Sequence, residues 1–202
     1  MNNREDFEAL LALGRKGEDA VARYILRKLG FIITPVSKIE EGIGKGPRLY
    51  LPNGRTVAVP DLFCIKPVAG DFVPFDLPPV FTGIPFCWID VKLKNKCSFY
   101  RKNQRWQTGI DRRCWLNYRE VKRMTGIDTW VFHLILPTPE VVARAQGAKG
   151  WNMPAPTGLY GHPVSLQWSD SYGTMVYWGI EDLVKFAELD DIPLEDLLKE
   201  AA

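Results

Sequence analysis

The chain has 202 residues, a length that fits one domain, or one domain with an elaborated end, and that buries roughly 70% of the surface an unfolded chain exposes. Hydrophobic residues make up 46% of it, with 7 Trp, 7 Tyr and 10 Phe, which excludes a disordered protein, and no apolar run approaches the roughly 20 residues that cross a bilayer. Net charge is only +2, yet Lys92 to Arg123 carries 11 Lys and Arg against Asp111 and Glu120, a local +9 that leaves −7 for the remainder.

From the N-terminus, Phe7, Leu10, Leu11, Gly14, Val21, Tyr24, Ile25 and Leu29 recur at spacings of three and four, so a long helix is expected over Arg4 to Leu29 with Gly30 as its stop. Phe31-Ile32-Ile33 should begin a strand, and the glycines between Ser37 and Gly46 mark a loop. Arg48 to Leu51 and Thr56 to Val59 flank Pro52-Asn53-Gly54-Arg55, a hairpin signal, and Asp61 to Ile65 continues as a strand. Lys66 to Pro85, with Pro67, Pro74, Pro78 and Pro79 and three phenylalanines, reads as a long structured loop or lid.

Pro85 to Ile89 leads into a strand carrying Asp90 and Lys92. Asp111 to Thr125 is helical with Gly126 at its end, and Thr129 to Leu136 is a β-branched and aromatic run expected to be buried on both faces. Pro137-Thr138-Pro139-Glu140 should start a short helix. From Gln146 to Pro163 a Gly/Pro-rich passage looks like a connection across the surface, after which Val164 to Trp168 and Thr174 to Trp178 read as a hairpin and Ile180 onward as a helical tail. The order predicts an α/β domain with a mixed central β-sheet flanked by helices, its core in residues 1–145, with residues 146–202 a C-terminal hairpin and helix extension packed on the same domain.

Met1 to Asp6 holds no apolar stretch leading to a small-residue cleavage site, so a cytoplasmic protein with no membrane partner is expected. Cys64, Cys87, Cys97 and Cys114 are spaced by 23, 10 and 17, unlike paired zinc ligands or a disulfide framework, and read as buried free thiols. His133 falls in the buried-looking strand as a core residue, and His162 lies in the loop without an assignable role.

Chemistry concentrates at three places. In Ile89-Asp90-Val91-Lys92-Leu93-Lys94, alternation sends Ile89, Val91 and Leu93 one way and Asp90, Lys92 and Lys94 the other, so Asp90 and Lys92 can act on one ligand; the wet face of an edge strand would look the same. Asp61 follows Pro60 inside an apolar strand. A buried carboxylate there needs a cation or a hydrogen-bond donor, unless it only caps a turn. Glu18 sits in the apolar stripe of the first helix, four after Gly14 and three before Val21, where Gly14 and Gly17 suit the close approach of a backbone or a ligand; pairing with a core-facing Arg or Lys is the other reading. Acids on a helix and two strands are the parts that hold a hard divalent ion such as Mg²⁺ through oxygen ligands.

Pro60-Asp61, then Asp90-Val91-Lys92 after a gap of 28 residues, preceded by helical Gly14-Arg15-Lys16-Gly17-Glu18, resembles the PD-(D/E)XK nuclease superfamily, with its restriction-endonuclease-like fold shared by restriction enzymes and Holliday junction resolvases. The resemblance covers roughly residues 5–136. It implies a restriction-endonuclease-like core and a Mg²⁺-dependent endonuclease (Mn²⁺ substituting) that hydrolyses DNA phosphodiester bonds, with branched or structured DNA favoured and a site-specific restriction or repair-type enzyme as the alternative. In that reading Asp61 and Asp90 bind the metal with the Val91 carbonyl, Glu18 completes or orients the metal shell, and Lys92 steers the attacking water or offsets charge on the phosphorus. A two-fold dimer would serve two symmetric cuts, and a non-catalytic DNA-binding module on the same fold is the reading from another class.

The Gln-x-x-x-Tyr helix of the processive exonuclease branch is not matched, since Gln104 is followed four on by Thr108 and Gln107 by Asp111. Gln107 and Tyr118 remain candidates to line the site. Lys94, Lys96, Arg101, Lys102, Arg105, Arg112 and Arg113, interleaved with aromatic residues, are candidate contacts to a DNA backbone.

Overall fold

A computed structural model describes residues 3–36, 48–50, 54, 56–66, 81, 84–94, 97–100, 102–136 and 155–194. Helix α1 (Asn3–Tyr24) runs into a widened π-type turn, Ile25–Leu29, and Gly30 ends it at φ 68°, a left-handed conformation that glycine adopts without Cβ strain. There follow β1 (Ile32–Pro35), β2 (Arg48–Tyr50), β3 (Thr56–Ala58), β4 (Leu62–Ile65), β5 (Phe86–Lys94), β6 (Ser98–Tyr100), β7 (Arg105–Asp111), α2 (Arg112–Thr125), β8 (Asp128–Ile135), β9 (Gly158–Pro163), β10 (Asp170–Tyr172), β11 (Met175–Gly179) and β12 (Val184–Ala187).

The result is mixed α/β. A six-stranded sheet has the order β1-β4-β5-β8-β9-β12, with β5 and β8 parallel and every other neighbouring pair antiparallel. A second sheet of four strands has the order β10-β11-β7-β6, and β2 pairs β3 as the expected hairpin.

Strand alternation sorts the core into two sides. Cys87, Ile89, Val91 and Leu93 of β5 and Trp130, Phe132 and Leu134 of β8 pack with Ala20, Val21, Tyr24 and Ile25 of the first helical segment. On the opposite side Val131 and Ile135 of β8 join Trp115 and Tyr118 of α2 and Trp106, Ile110, Val176 and Trp178 of the smaller sheet. The parallel register sets Asp90 beside Val131, Lys92 beside His133 and Lys94 beside Ile135, so these polar residues of β5 face α2 and the second sheet.

A buried polar chain links the two sheets. His162 Nδ1 lies 3.1 Å from the Pro163 carbonyl, to which it must donate, so its Nε2 is an acceptor. His133 Nε2 lies 3.3 Å away and therefore carries the donated hydrogen, which leaves His133 Nδ1 to accept from the Thr108 hydroxyl at 3.2 Å. Every member is satisfied in one tautomeric arrangement with both rings neutral.

Several expected elements differ. Ser98–Tyr100 and Arg105–Asp111, where no strand was expected, form β6 and β7, with Trp106, Thr108 and Ile110 on the side of the second core and the charges at the ends of β7. The Gly/Pro-rich passage is not all surface: β9 lies inside the large sheet between β8 and β12, and Gly161 is there because a Cβ would meet the Phe132 and Phe186 rings at 2.7 and 2.8 Å. The strand expected at Val164 to Trp168 is a turn, and β11 pairs instead with β10. Over Ile180 to Leu194 the expected helical tail is replaced by short 3-10 turns, Ile180–Asp182 and Leu189–Asp191, on either side of β12, whose pairing with β9 overrides local helix propensity, and its part at 195–202 lies outside the described residues. His162 is accordingly a buried strand residue, not a loop residue. The loop at Ser37 to Gly46, most of the Lys66 to Pro85 segment and the helix expected at Pro137 lie outside the described residues. Cys64, Cys87, Cys97 and Cys114 are free thiols, and among the described residues no helix is long and apolar enough to cross a membrane.

Candidate active site

Pairing of β4 with β5 ends at Leu62 and Ile89, one residue short of Asp61 and Asp90. Beyond that point the Asp61 side chain takes over from the backbone ladder: its Oδ2 accepts the Val91 N–H at 3.0 Å, while its own carbonyl accepts from Val36 N at 2.9 Å. Pro60, which has no N–H to give, suits this strand end. Asp61 and the Asp90-Val91-Lys92 stretch are thus joined directly.

Asp90 is fully buried. Its Oδ1 accepts from Lys92 Nζ at 2.8 Å and also from the hydroxyl of Tyr118 on α2. Its Oδ2 is buried without a hydrogen-bond partner among the described residues. Burial, then the charges of Asp90 and Glu18, push the Asp61 carboxyl well above the ordinary carboxylate range, against the pull of Lys92 and the Val91 N–H. Burial works against the Lys92 charge, but Asp90 and Asp61 more than offset it and hold the ammonium above its usual value; the side chain keeps 30% exposure.

Glu18 is near enough for its charge to act on Asp61, and it is carried by α1, which packs on the Ile89 and Val91 side of β5. Helix α1 can lie close there because Gly17 has no side chain: a Cβ would stand 3.2 Å from Leu93 Cβ, whereas Gly14 meets nothing within 4 Å. Gly17 therefore serves the approach of a helix backbone to the sheet. Leu11 is exposed, so the apolar stripe on which Glu18 was placed is buried from Gly17 onward. Among the described residues no three His, Cys, Asp or Glu side chains gather as a group able to hold an ion by themselves.

The donor chemistry nevertheless suits a hard divalent cation. Asp90 Oδ2 is a buried carboxylate oxygen with no hydrogen bond from the described residues, Asp61 stands in a field of like charge, and Lys92 is the cation that meets it. The backbone carbonyl of Val91, the residue directly after Asp90, would add a further oxygen of the kind Mg²⁺ takes.

The basic residues are only partly grouped. Lys94 shares the face of Asp90 and Lys92, half-buried, and burial followed by the Lys92 charge pushes its ammonium down. Arg112 and Arg113 are exposed in the first turn of α2, where the Asp111 side chain caps the helix by accepting Arg113 N at 2.7 Å. Lys102 is exposed in the turn before β7. Arg105 is instead engaged by Glu181 at 3.2 Å and Asp182 at 3.6 Å. Lys96 and Arg101 lie outside the described residues. Arg119 lies over the Trp115 ring at 4.7 Å, adding a cation on α2 that sequence reasoning had not singled out.

Of the two further candidates, Gln107 is buried in β7 and its Nε2 has no hydrogen-bond partner among the described residues, and Tyr118 is the residue that reaches Asp90. A signal for Tyr118 exists in the sequence: with Trp115 and Val121 it recurs every three residues on the buried stripe of α2. No protein-family model matches the chain, and no curated protein matches it.

Proposed function

We propose that the chain is a divalent-metal-dependent DNA endonuclease with a restriction-endonuclease-like core. The observation that carries this reading is the buried Oδ2 of Asp90, without a hydrogen-bond partner among the described residues, beside the crowded carboxylate of Asp61. Leaving a buried carboxylate oxygen unbonded is costly, and a cation relieves both that cost and the repulsion between the acids. The order α1, β1, β4, β5, α2, β8, with β5 and β8 parallel across the intervening helix, supports the fold assignment.

Asp61 and Asp90 would hold Mg²⁺ or Mn²⁺, with the Val91 carbonyl as a further ligand and Glu18 adding negative charge from α1. A bound ion supplies Lewis acidity to the phosphoryl oxygen and lowers the pKa of a coordinated water. Lys92 remains protonated beside Asp90 and so acts as a donor and positive charge toward the phosphate, offsetting charge as water adds to phosphorus and one P–O ester bond breaks. Lys94, Arg112, Arg113 and Lys102 offer charge to the phosphates that flank the scissile one. Branched or structured DNA is the substrate class this reading favours, over a site-specific duplex.

A binding-only module is supported by a different observation, the engagement of Asp90 Oδ1 by both Lys92 and Tyr118. Cleavage of a plasmid and a four-way junction with Mg²⁺, set against Ca²⁺, separates the two. Wild type should cut with Mg²⁺, while Asp90→Ala and Lys92→Ala bind DNA without cutting. Cleavage untouched by Asp90→Ala would sink the assignment.

A further inference from the structure

We propose that Tyr118 is the positioning residue of this site: from α2 it donates its hydroxyl hydrogen to Asp90 Oδ1, leaving Oδ2 as the oxygen offered to the ion. This role rests on the reading of Asp61 and Asp90 as the ion-holding pair.

A carboxylate on a short stem turns about its last torsion, which is broad, so two donors on one oxygen are needed to fix which oxygen faces the ligand. Lys92 alone is a poor clamp. Its stem has four rotatable bonds and 30% of the side chain is exposed, so holding it still costs entropy. Tyr118 is 5% exposed and packed in the core with Trp115 and Val131, and a phenol ring has little rotamer freedom to lose.

The helix that carries it is itself tied down. Its N-terminus is capped by Asp111, and Trp115 Nε1 donates to the Val164 carbonyl at 3.2 Å. A carboxylate oxygen only accepts, so in this contact the Tyr118 hydroxyl is the donor and Asp90 Oδ1 the acceptor. Partners of metal ligands of this kind set the orientation of the ligand and are worth about 10- to 100-fold in metal affinity.

Mn²⁺ titration followed by electron paramagnetic resonance tests the role, using the full chain as wild type, Tyr118→Phe and Val121→Ala, each checked for folding by circular dichroism. Tyr118→Phe keeps the ring and should raise the Mn²⁺ dissociation constant about tenfold or more. Excess Mn²⁺ should then restore its cleavage rate. Val121→Ala loosens the same helix without touching Asp90, so it should lower the melting temperature and leave the constant unchanged.

Unchanged affinity in Tyr118→Phe, or an equal loss in Val121→Ala, overturns the positioning role. Absence of Mn²⁺ binding in wild type overturns the ion-holding pair itself. A measurement that needs no variant keeps the test open if Tyr118→Phe does not fold: with tyrosine labelled at ¹³Cζ, the Tyr118 resonance should move when Ca²⁺ is added, and a signal blind to Ca²⁺ refutes the coupling.

Discussion

The hydrogen-bonded run from Thr108 through His133 and His162 to Pro163 should make the protein acid-labile in a defined window. Both rings are buried, and the two Nε2 atoms face each other at 3.3 Å, so a proton added to His162 would set N–H against N–H, and one added to His133 Nδ1, which the Thr108 hydroxyl can accept, would still bury a charge. Burial holds His162 down from 6.5 to about 4, and burial followed by the His162, Lys94 and Lys92 charges holds His133 well below its ordinary value. The folded state thus binds fewer protons than the unfolded chain, whose histidines titrate at about 6.5. Stability is therefore fully present above about pH 6.5 and falls as the pH drops toward the folded values. The fall from 6.5 to about 4 at His162 corresponds to about 3 kcal/mol, with His133 adding in the same direction. Such a loss is a large share of the roughly 5–15 kcal/mol that holds a domain folded. Asp61 works the other way, since its raised carboxyl takes up a proton in the folded state and gains stability as pH falls. Comparison with His162→Gln, which keeps an acceptor for His133 but does not titrate, isolates the histidine share. Urea unfolding at steps between about pH 7.5 and 4.5 should show the variant less stable at neutral pH, yet losing about 1.4 kcal/mol per pH unit less than wild type below pH 6. Equal slopes for the two proteins would refute the reasoning.

Two other outcomes follow from the geometry. Gly161→Ala should lower stability by about 1–3 kcal/mol, because its Cβ is driven into two packed rings of the large sheet, and a thermal melt beside wild type checks it. Arg112→Gln with Arg113→Gln should weaken binding to any DNA and reduce the slope of log affinity against log salt by about 0.9 for each phosphate that is no longer neutralised. An unchanged slope would place the DNA elsewhere on the surface.

Legibility of the fold followed periodicity and stopped where another demand reshaped it. Helices α1 and α2 and strands β1, β5 and β8 were readable because apolar spacing of three and four, alternation, or a continuous β-branched run leaves only one packing solution. Strands β7, β9 and β12 were hidden for three different reasons. In β7 the flanking arginines mask a run in which Trp106 through Ile110 are all buried, Trp106 and Ile110 in the second core. In β9 glycine reads as a breaker, whereas Gly161 is needed so that two aromatic rings can close over the backbone. In β12 four residues among acids are too short a run to announce a strand without β9 beside it.

The same contrast governs the site. Alternation along β5 was enough to put Asp90 and Lys92 on one face, and Pro60 with an acid inside an apolar strand was enough to make Asp61 suspect. What alternation could not say is what covers that face. Asp90 points toward α2, so its burial is made by a helix 28 residues away in sequence, through Tyr118. A carboxylate that depends on a distant helix for both its burial and its orientation ties the chemistry of β5 to the packing of α2. Substitutions on the buried stripe of α2 should therefore divide into those that touch Asp90 and change ion affinity, and those that only loosen the core and change the melting temperature. Tyr118 and Val121, three residues apart on that stripe, are the pair on which the division rests.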